Sequence, residues 1–197
     1  MKGELLSKNC PKAWQNWVEK GNYDVLKATP TLMHRTKKEQ LPSTEGDWKI
    51  VNCIYDYFKA DPFGFENCAA KIVSLMDKNI ISYDVTRPWR DDGRDAVGLY
   101  RIGTKGDNIN VQFALEAKCF KPGTGVGVKH VARLISRLRH RQFGVLITTS
   151  YLAEQAYKEI REDGHPVIVI SAVDISRILL ESGINTEKKV LDWINEQ

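Results

Sequence analysis

Between residues 79 and 120 the apolar positions stop recurring at helical spacing and begin to alternate, a change of period that narrows the choice of fold more than any other stretch. Residues 79–85 read as a strand, TRPWRDDGRD as a turn ending at Asp95, and AVGLYRI as a second strand. GTKGDN then supplies hairpin chemistry and NVQFALEAKCF a third strand. Strands joined this closely pair as an antiparallel meander. On the third strand Val111, Phe113, Leu115, Ala117 and Cys119 point one way, and Gln112, Ala114, Glu116 and Lys118 the other.

Helical patterns flank the meander. Pro11, Trp14, Trp17 and Val18, closed by Gly21, outline a short amphipathic helix. Residues 22–47, polar, basic and broken by Pro30, Pro42 and Gly46, read as loop. Val51, Ile54, Tyr55 and Phe58 continue a helix from Trp48 to the Asp61-Pro62 break. Phe65, Ala69, Ile72, Val73 and Met76 mark the next, with Glu66 near its first turn. Beyond the third strand, PGTGVGV reads as a flexible connection. It leads into a basic helix with Val128, Val131, Leu134, Ile135 and Leu138 inward and Lys129, His130, Arg133 and Arg137 largely outward. FGVLITT is a buried strand, and Leu152, Ala153, Ala156, Tyr157 and Ile160 make a helix. Residues 166–170 form another strand, and Ser171 and Thr186 cap the last two helices. The order implies an α/β fold with a mixed central sheet flanked by helices. Residues 61–197 would form its core, with residues 1–60 a helical and loop extension suited to DNA recognition or dimerisation.

Several function classes are excluded early. Four cysteines without a Cys-x-x-Cys pair and four scattered histidines argue against a zinc knuckle or a disulfide scaffold. The first residues lack the apolar run of a signal peptide and no stretch is long and apolar enough to span a bilayer, so a cytoplasmic protein with no membrane partner is expected. Gly123, Gly125 and Gly127 stand between a strand and a helix, where nucleotide loops occur. The spelling fits neither phosphate-binding fingerprint, so no nucleotide cofactor is expected.

Asp95 stands at the mouth of the second strand, while Glu116 and Lys118 share one face of the strand that pairs with it. Two carboxylates brought together repel unless a divalent cation lies between them, and an adjacent ammonium can orient a water or stabilise charge on a phosphate. This arrangement suits metal-assisted phosphodiester hydrolysis at a solvent-accessible cleft. A Glu-x-Lys pair can equally be a solvated strand face. What favours chemistry is the position, two elements after an Asp-rich turn and directly before a basic helix.

DGRDAVG, FALEAKCF, HVARLISRL and FGVLITTSYLAEQA, in that order, resemble the PD-(D/E)XK nuclease superfamily, most closely its Mrr-like restriction endonuclease branch, over roughly residues 62–182. The resemblance implies a restriction-endonuclease-like αβββαβ core, Asp95 and Glu116 as ligands of Mg²⁺ (Mn²⁺ being the candidate substitute), Lys118 as the catalytic lysine, and Glu66 as a further carboxylate orienting the metal or its water. The PD half of the family name is absent, since Arg94 and not a proline precedes Asp95, and DDGRD also offers Asp91 and Asp92, of which Asp92 competes for the carboxylate role. Asp95 is preferred because it adjoins the strand.

Residues 119–141 hold Lys121, Lys129, Arg133, Arg137, Arg139 and Arg141 and no acid, a concentration of charge that a net +4 for the whole chain conceals. With His130, and with Arg87, Trp89, Arg90 and Arg94 in the turn before Asp95, they form the expected DNA-binding surface. The resemblance thus implies a prokaryotic type II restriction endonuclease, leaving 5′-phosphate and 3′-hydroxyl ends and acting on double-stranded DNA as a homodimer. The alternatives are a modification-dependent or structure-specific nuclease of the same branch, and a catalytically inert DNA-binding module.

Overall fold

The computed structural model describes residues 34–85, 95–140 and 142–196, together with Lys12, Trp14, Gln15 and Val18. The chain divides into two units, Met1–Met33 and His34–Gln197. In the first, Lys12, Trp14, Gln15 and Val18 are helical and Trp14 is half-buried. The rest of the expected N-terminal helix, including Trp17, lies outside the described residues, as do Arg87, Trp89, Arg90, Asp91, Asp92 and Arg94.

The second unit begins with α1 (Lys37–Gln40) and α2 (Glu45–Phe58), both starting inside the segment read as loop. Two threonines account for the difference. Thr36 accepts from the Glu39 amide while the Glu39 carboxylate accepts from the Thr36 amide, and Thr44 accepts from the Asp47 amide. The polar composition that suggested a loop was supplying helix caps. α3 (Pro62–Met76) starts at the expected break, with Pro62 in its first turn and the Asp61 carboxylate accepting from the Gly64 amide.

The meander follows as β1 (Ile80–Val85), β2 (Ala96–Gly103) and β3 (Asn108–Lys118). Gly103 makes the β2–β3 turn at φ 125°, where a side chain would meet the Asp107 carbonyl oxygen and the Asn108 backbone. Then come β4 (Gly125–Val126), α4 (Val128–Ile135), β5 (Phe143–Thr148), β6 (Tyr151–Leu152), α5 (Glu154–Glu162), β7 (Val167–Ile170), α6 (Ala172–Glu181) and α7 (Glu187–Asn195). The sheet order is β1-β2-β3-β5-β7, with the first three strands antiparallel and β3, β5 and β7 parallel. This is the expected mixed sheet.

Both faces of the sheet's centre are buried. Phe113, Leu115, Ala117, Val145 and Ile147 pack on α2, α3, α6 and α7 through Ile54, Phe65, Ile72, Ile175 and Val190. Ala114, Leu146, Val167 and Val169 pack on α4 and α5 through Val131, Leu134, Ala156 and Ile160. Leu152 belongs to β6 and not to the helix expected there, and the glycine-rich connection contains β4, which pairs in parallel with β6. Val126 in that connection is fully buried, so the segment is pinned and not a free linker. Among the described residues no helix is long and apolar enough to cross a membrane, and Cys53, Cys68 and Cys119 are free thiols.

Gln40 fastens α1 to this small sheet. Its amide oxygen accepts from the Leu152 amide at 2.9 Å, and its amide nitrogen donates to the carbonyls of Leu152 and Arg35 at 3.1 and 3.0 Å. A buried backbone pair is thereby satisfied by one side chain. Gln40→Ala should therefore lower stability by about 1–3 kcal/mol. In urea denaturation this reads as a lower midpoint at an unchanged slope; an unshifted midpoint would show that water satisfies the pair equally well.

Candidate active site

The parallel strands β3, β5 and β7 end on the same edge, and in sheets of this kind the crevice beyond the carboxyl ends is where ligands bind. Glu116 and Lys118 close β3 at that edge, opposite Leu146 and Thr148 of β5. Asp95 reaches the same edge from the other direction, immediately before β2. Its amide donates to the Leu115 carbonyl, and one of its carboxylate oxygens accepts from the Ala117 amide at 2.7 Å. The antiparallel register thus locks Asp95 beside the backbone that carries the glutamate and lysine.

One ammonium joins the two acids. Lys118 Nζ lies 2.8 Å from Glu116 Oε1 and 3.5 Å from Asp95 Oδ2, and donates to the Ala117 carbonyl at 2.7 Å. Glu116 has none of its surface exposed and Asp95 only 6%, so the expected open cleft is instead a buried floor. The cause is helix α4, which covers this face of the sheet. Arg133 on α4 and Arg137 just past its end, expected to face largely outward, both approach Glu116. Arg133 Nε comes within 3.8 Å of Glu116 Oε1 and Arg137 Nη1 within 3.7 Å of Oε2.

Lys118 stands at hydrogen-bond distance from Glu116, while both guanidiniums lie beyond it, so the acceptor capacity of this buried carboxylate is only partly used among the described residues. Burial, and then the neighbouring Asp95 charge, push the Glu116 carboxyl above its usual range against the pull of Lys118 and Arg133. A buried carboxylate with unfilled acceptor capacity, beside a second carboxylate, suits a hard divalent cation. Among the described residues no three His, Cys, Asp or Glu side chains gather at ligating range. Mg²⁺ is commonly held by one or two carboxylates, with water and substrate phosphate completing its shell. Asp95 and Glu116 therefore fit such an ion as the two protein ligands.

Glu66, on the second turn of α3, stands outside that pair yet feels it. Burial and the Asp95 charge raise its carboxyl to about 7, with Lys118 opposing. His130 is half-buried and stacks edge-on against Phe120; burial and the cations Lys118, Arg133 and Lys129 push its imidazole below the usual range. Lys121 and Lys129 are exposed. The approach of Arg133 and Arg137 to Glu116 was not expected from sequence, because a strand glutamate covered by a helix distant in the chain leaves no local pattern.

Residues 58–179 match the restriction endonuclease family represented by Mrr catalytic domains. No curated protein matches the chain. Among solved structures, the chain is similar to the DNA modification-dependent restriction endonuclease AspBHI, with 47% identity and a TM-score of 0.79 over 94% of this chain and 48% of that one. It is also similar to the MspJI restriction endonuclease in complex with a 27-mer oligonucleotide, with a TM-score of 0.72 over 94% of this chain and 44% of that one. At 22% identity this second likeness concerns the fold alone. The chain spans about half the length of the solved chains it matches.

The raised Glu66 carboxyl makes a test. Its folded value near 7 lies above that of an unfolded glutamate, about 4.3, so the folded state holds the extra proton between these values. Stability from this group therefore falls as pH rises through that window. Glu66→Gln should be more stable than the wild type at pH 8, by about 1 kcal/mol once screening of the half-exposed side chain is allowed for, and equal to it near pH 4. Denaturation at both pH values decides; no gain at pH 8 would mean that the carboxyl ionises there without cost.

Proposed function

Because the chain belongs to the Mrr-type restriction endonuclease family, we propose that it hydrolyses DNA phosphodiesters at the Asp95, Glu116 and Lys118 site, as the nuclease part of a modification-dependent restriction enzyme. The observation that carries the catalytic reading is the convergence of both acids on one ammonium at the strand ends. Modification dependence is favoured over sequence-specific cleavage of unmodified DNA because AspBHI, at 47% identity, is named for that property.

Asp95 and Glu116 would hold Mg²⁺, or Mn²⁺ in its place, which when bound supplies Lewis-acid polarisation of a phosphoryl oxygen. The chain's own residues do the rest. The Ala117 amide fixes the Asp95 carboxylate, so its position does not depend on ligand. Lys118 carries three protons; one is committed to the Ala117 carbonyl, leaving donors to hold an attacking water in line with the phosphorus and to meet charge developing on the phosphate. Glu66, whose carboxyl is raised to about 7, can accept a proton from that water in its ionised form. Lys121, Lys129 and His130 line the approach as a phosphate-tracking surface, and the turn bearing Arg87, Trp89, Arg90 and Arg94 borders it in sequence. One site cuts one strand, so cutting a duplex calls for a second copy, and a homodimer is the simplest arrangement.

The test compares plasmid DNA with and without base modification, in Mg²⁺ and in EDTA. Cleavage should require both the cation and the modification. Lys118→Ala and Glu116→Gln should each reduce it by about a hundredfold or more while leaving a cooperative melt. Undiminished cutting by either variant would remove the site assignment. Equal cutting of both DNAs would remove the modification dependence and leave the nuclease.

A further inference from the structure

We propose that His130 is the proton donor to the 3′-oxygen that departs when the DNA phosphodiester is cut. The inference rests on the hydrolytic reading given above and gives this side chain a chemical role beyond lining the approach.

Its place follows from the way α4 runs. The helix lies antiparallel to β3: beyond its far end the Gln142 side chain donates to the Gln112 side chain at 2.7 Å, midway Arg133 approaches Glu116, and at its first turn His130 stands over the end of the strand. There the imidazole meets the Phe120 ring edge-on, with centroids 5.5 Å apart and planes at 81°. Phe120 follows Lys118 by two residues. Its amide donates to the Lys118 carbonyl at 3.0 Å and its carbonyl accepts from the Thr149 hydroxyl at 2.7 Å, so the ring supporting His130 is tied to the strand end that carries the lysine. His130 and Arg133 are three apart and share a stripe of the helix. The imidazole is therefore one turn beyond the residue that approaches Glu116, toward the mouth of the crevice.

The aromatic contact fixes the ring and leaves its nitrogens for other work. Among the described residues neither nitrogen makes a hydrogen bond or an ion pair, although the side chain is half-buried. Lys118 and Glu66 serve the attacking water, which leaves the oxygen on the far side of the phosphorus without a proton source among the groups assigned so far. An alkoxide expelled bare is about as strong a base as hydroxide, and a positioned acid relieves that cost. Burial, and then Lys118 from β3 with Arg133 and Lys129 from α4, disfavour the imidazolium, while Asp95 favours it. A phosphodiester laid beside the ring adds negative charge, so the proton is bound when the substrate is in place.

The water oxygen bonds to phosphorus and its proton passes to the Glu66 carboxylate. The bond from phosphorus to the 3′-oxygen breaks with its electron pair on that oxygen, which takes the proton from His130. A 5′-phosphate, a 3′-hydroxyl, a neutral imidazole and a protonated Glu66 result, and exchange with solvent resets both side chains.

The experiment is single-turnover cleavage, at saturating protein in Mg²⁺, of two duplexes carrying the base modification. They are identical except that one has sulfur in place of the 3′-oxygen at the bond the wild type cuts. A thiol ionises at about 8.5, so the thiolate leaves without a proton. His130→Ala should cut the oxygen duplex about a hundredfold or more slowly than the wild type, and the sulfur duplex at nearly the wild-type rate. His130→Phe keeps a ring against Phe120 and should show the same pattern. Each variant is compared with the wild type on the same duplex, so any preference of the cation for oxygen over sulfur cancels. Equal slowing of both duplexes by His130→Phe would reduce His130 to a contact or packing residue and overturn the proposal. Undiminished cutting of the oxygen duplex by either variant would overturn it as well. Failure of the nuclease reading shows separately: Lys118→Ala, whose role lies with the water, should slow both duplexes, and if it slows neither the site itself is misassigned.

Discussion

Glu116 ends a central strand with none of its surface open to water, and an ionised carboxylate in that position is destabilising by several kcal/mol unless cations compensate. The surroundings follow from that requirement. Lys118 compensates from the same strand, and Arg133 on α4 and Arg137 just past its end do so from the layer that covers this face. Asp95 adds a second negative charge that makes the requirement stricter, and Glu66 answers by keeping its proton to near neutrality. The result is a cluster whose members set one another's charge, as sites that handle protons and phosphates need.

The position of these groups is fixed by main-chain bonds more than by side-chain packing. Asp95 is tied to β3 through both its amide and its carboxylate, and β3 is itself paired on both sides, antiparallel to β2 and parallel to β5. Two apolar layers clamp the sheet, so the strand ends have little freedom to separate. Rigid paired strands thus hold the acids in place at the sheet edge.

Much of this was legible in the sequence wherever the signal was local. Alternation of apolar residues gave β2 and β3, the Asp61-Pro62 step gave the start of α3, and Ser171 and Thr186 marked the last two helices where the structure has them. Asp95, Glu116 and Lys118 could be brought together because a hairpin has one register once its faces are known. What was missed depended on distant partners. Thr36 and Thr44 read as loop residues until the helices they cap were seen, and Gln40 shows no sign in sequence of the Leu152 backbone it satisfies. The burial of the acids also escaped, since the strand's alternation reports two faces without saying that a helix closes the second.

The β2–β3 hairpin sets how the gene encoding such a site can vary. Residues 101–110 are all exposed, and the acids and lysine lie at the opposite end of the ladder. Codons added or lost at the tip would leave the cluster untouched. A single codon gained within the paired part of β3 would swap inside for outside, sending Glu116 toward the apolar layer and Leu115 or Ala117 toward the arginines, unless a bulge absorbed it. Length variation among descendants of this chain should therefore collect at the tip, while the ladder admits only changes of even parity.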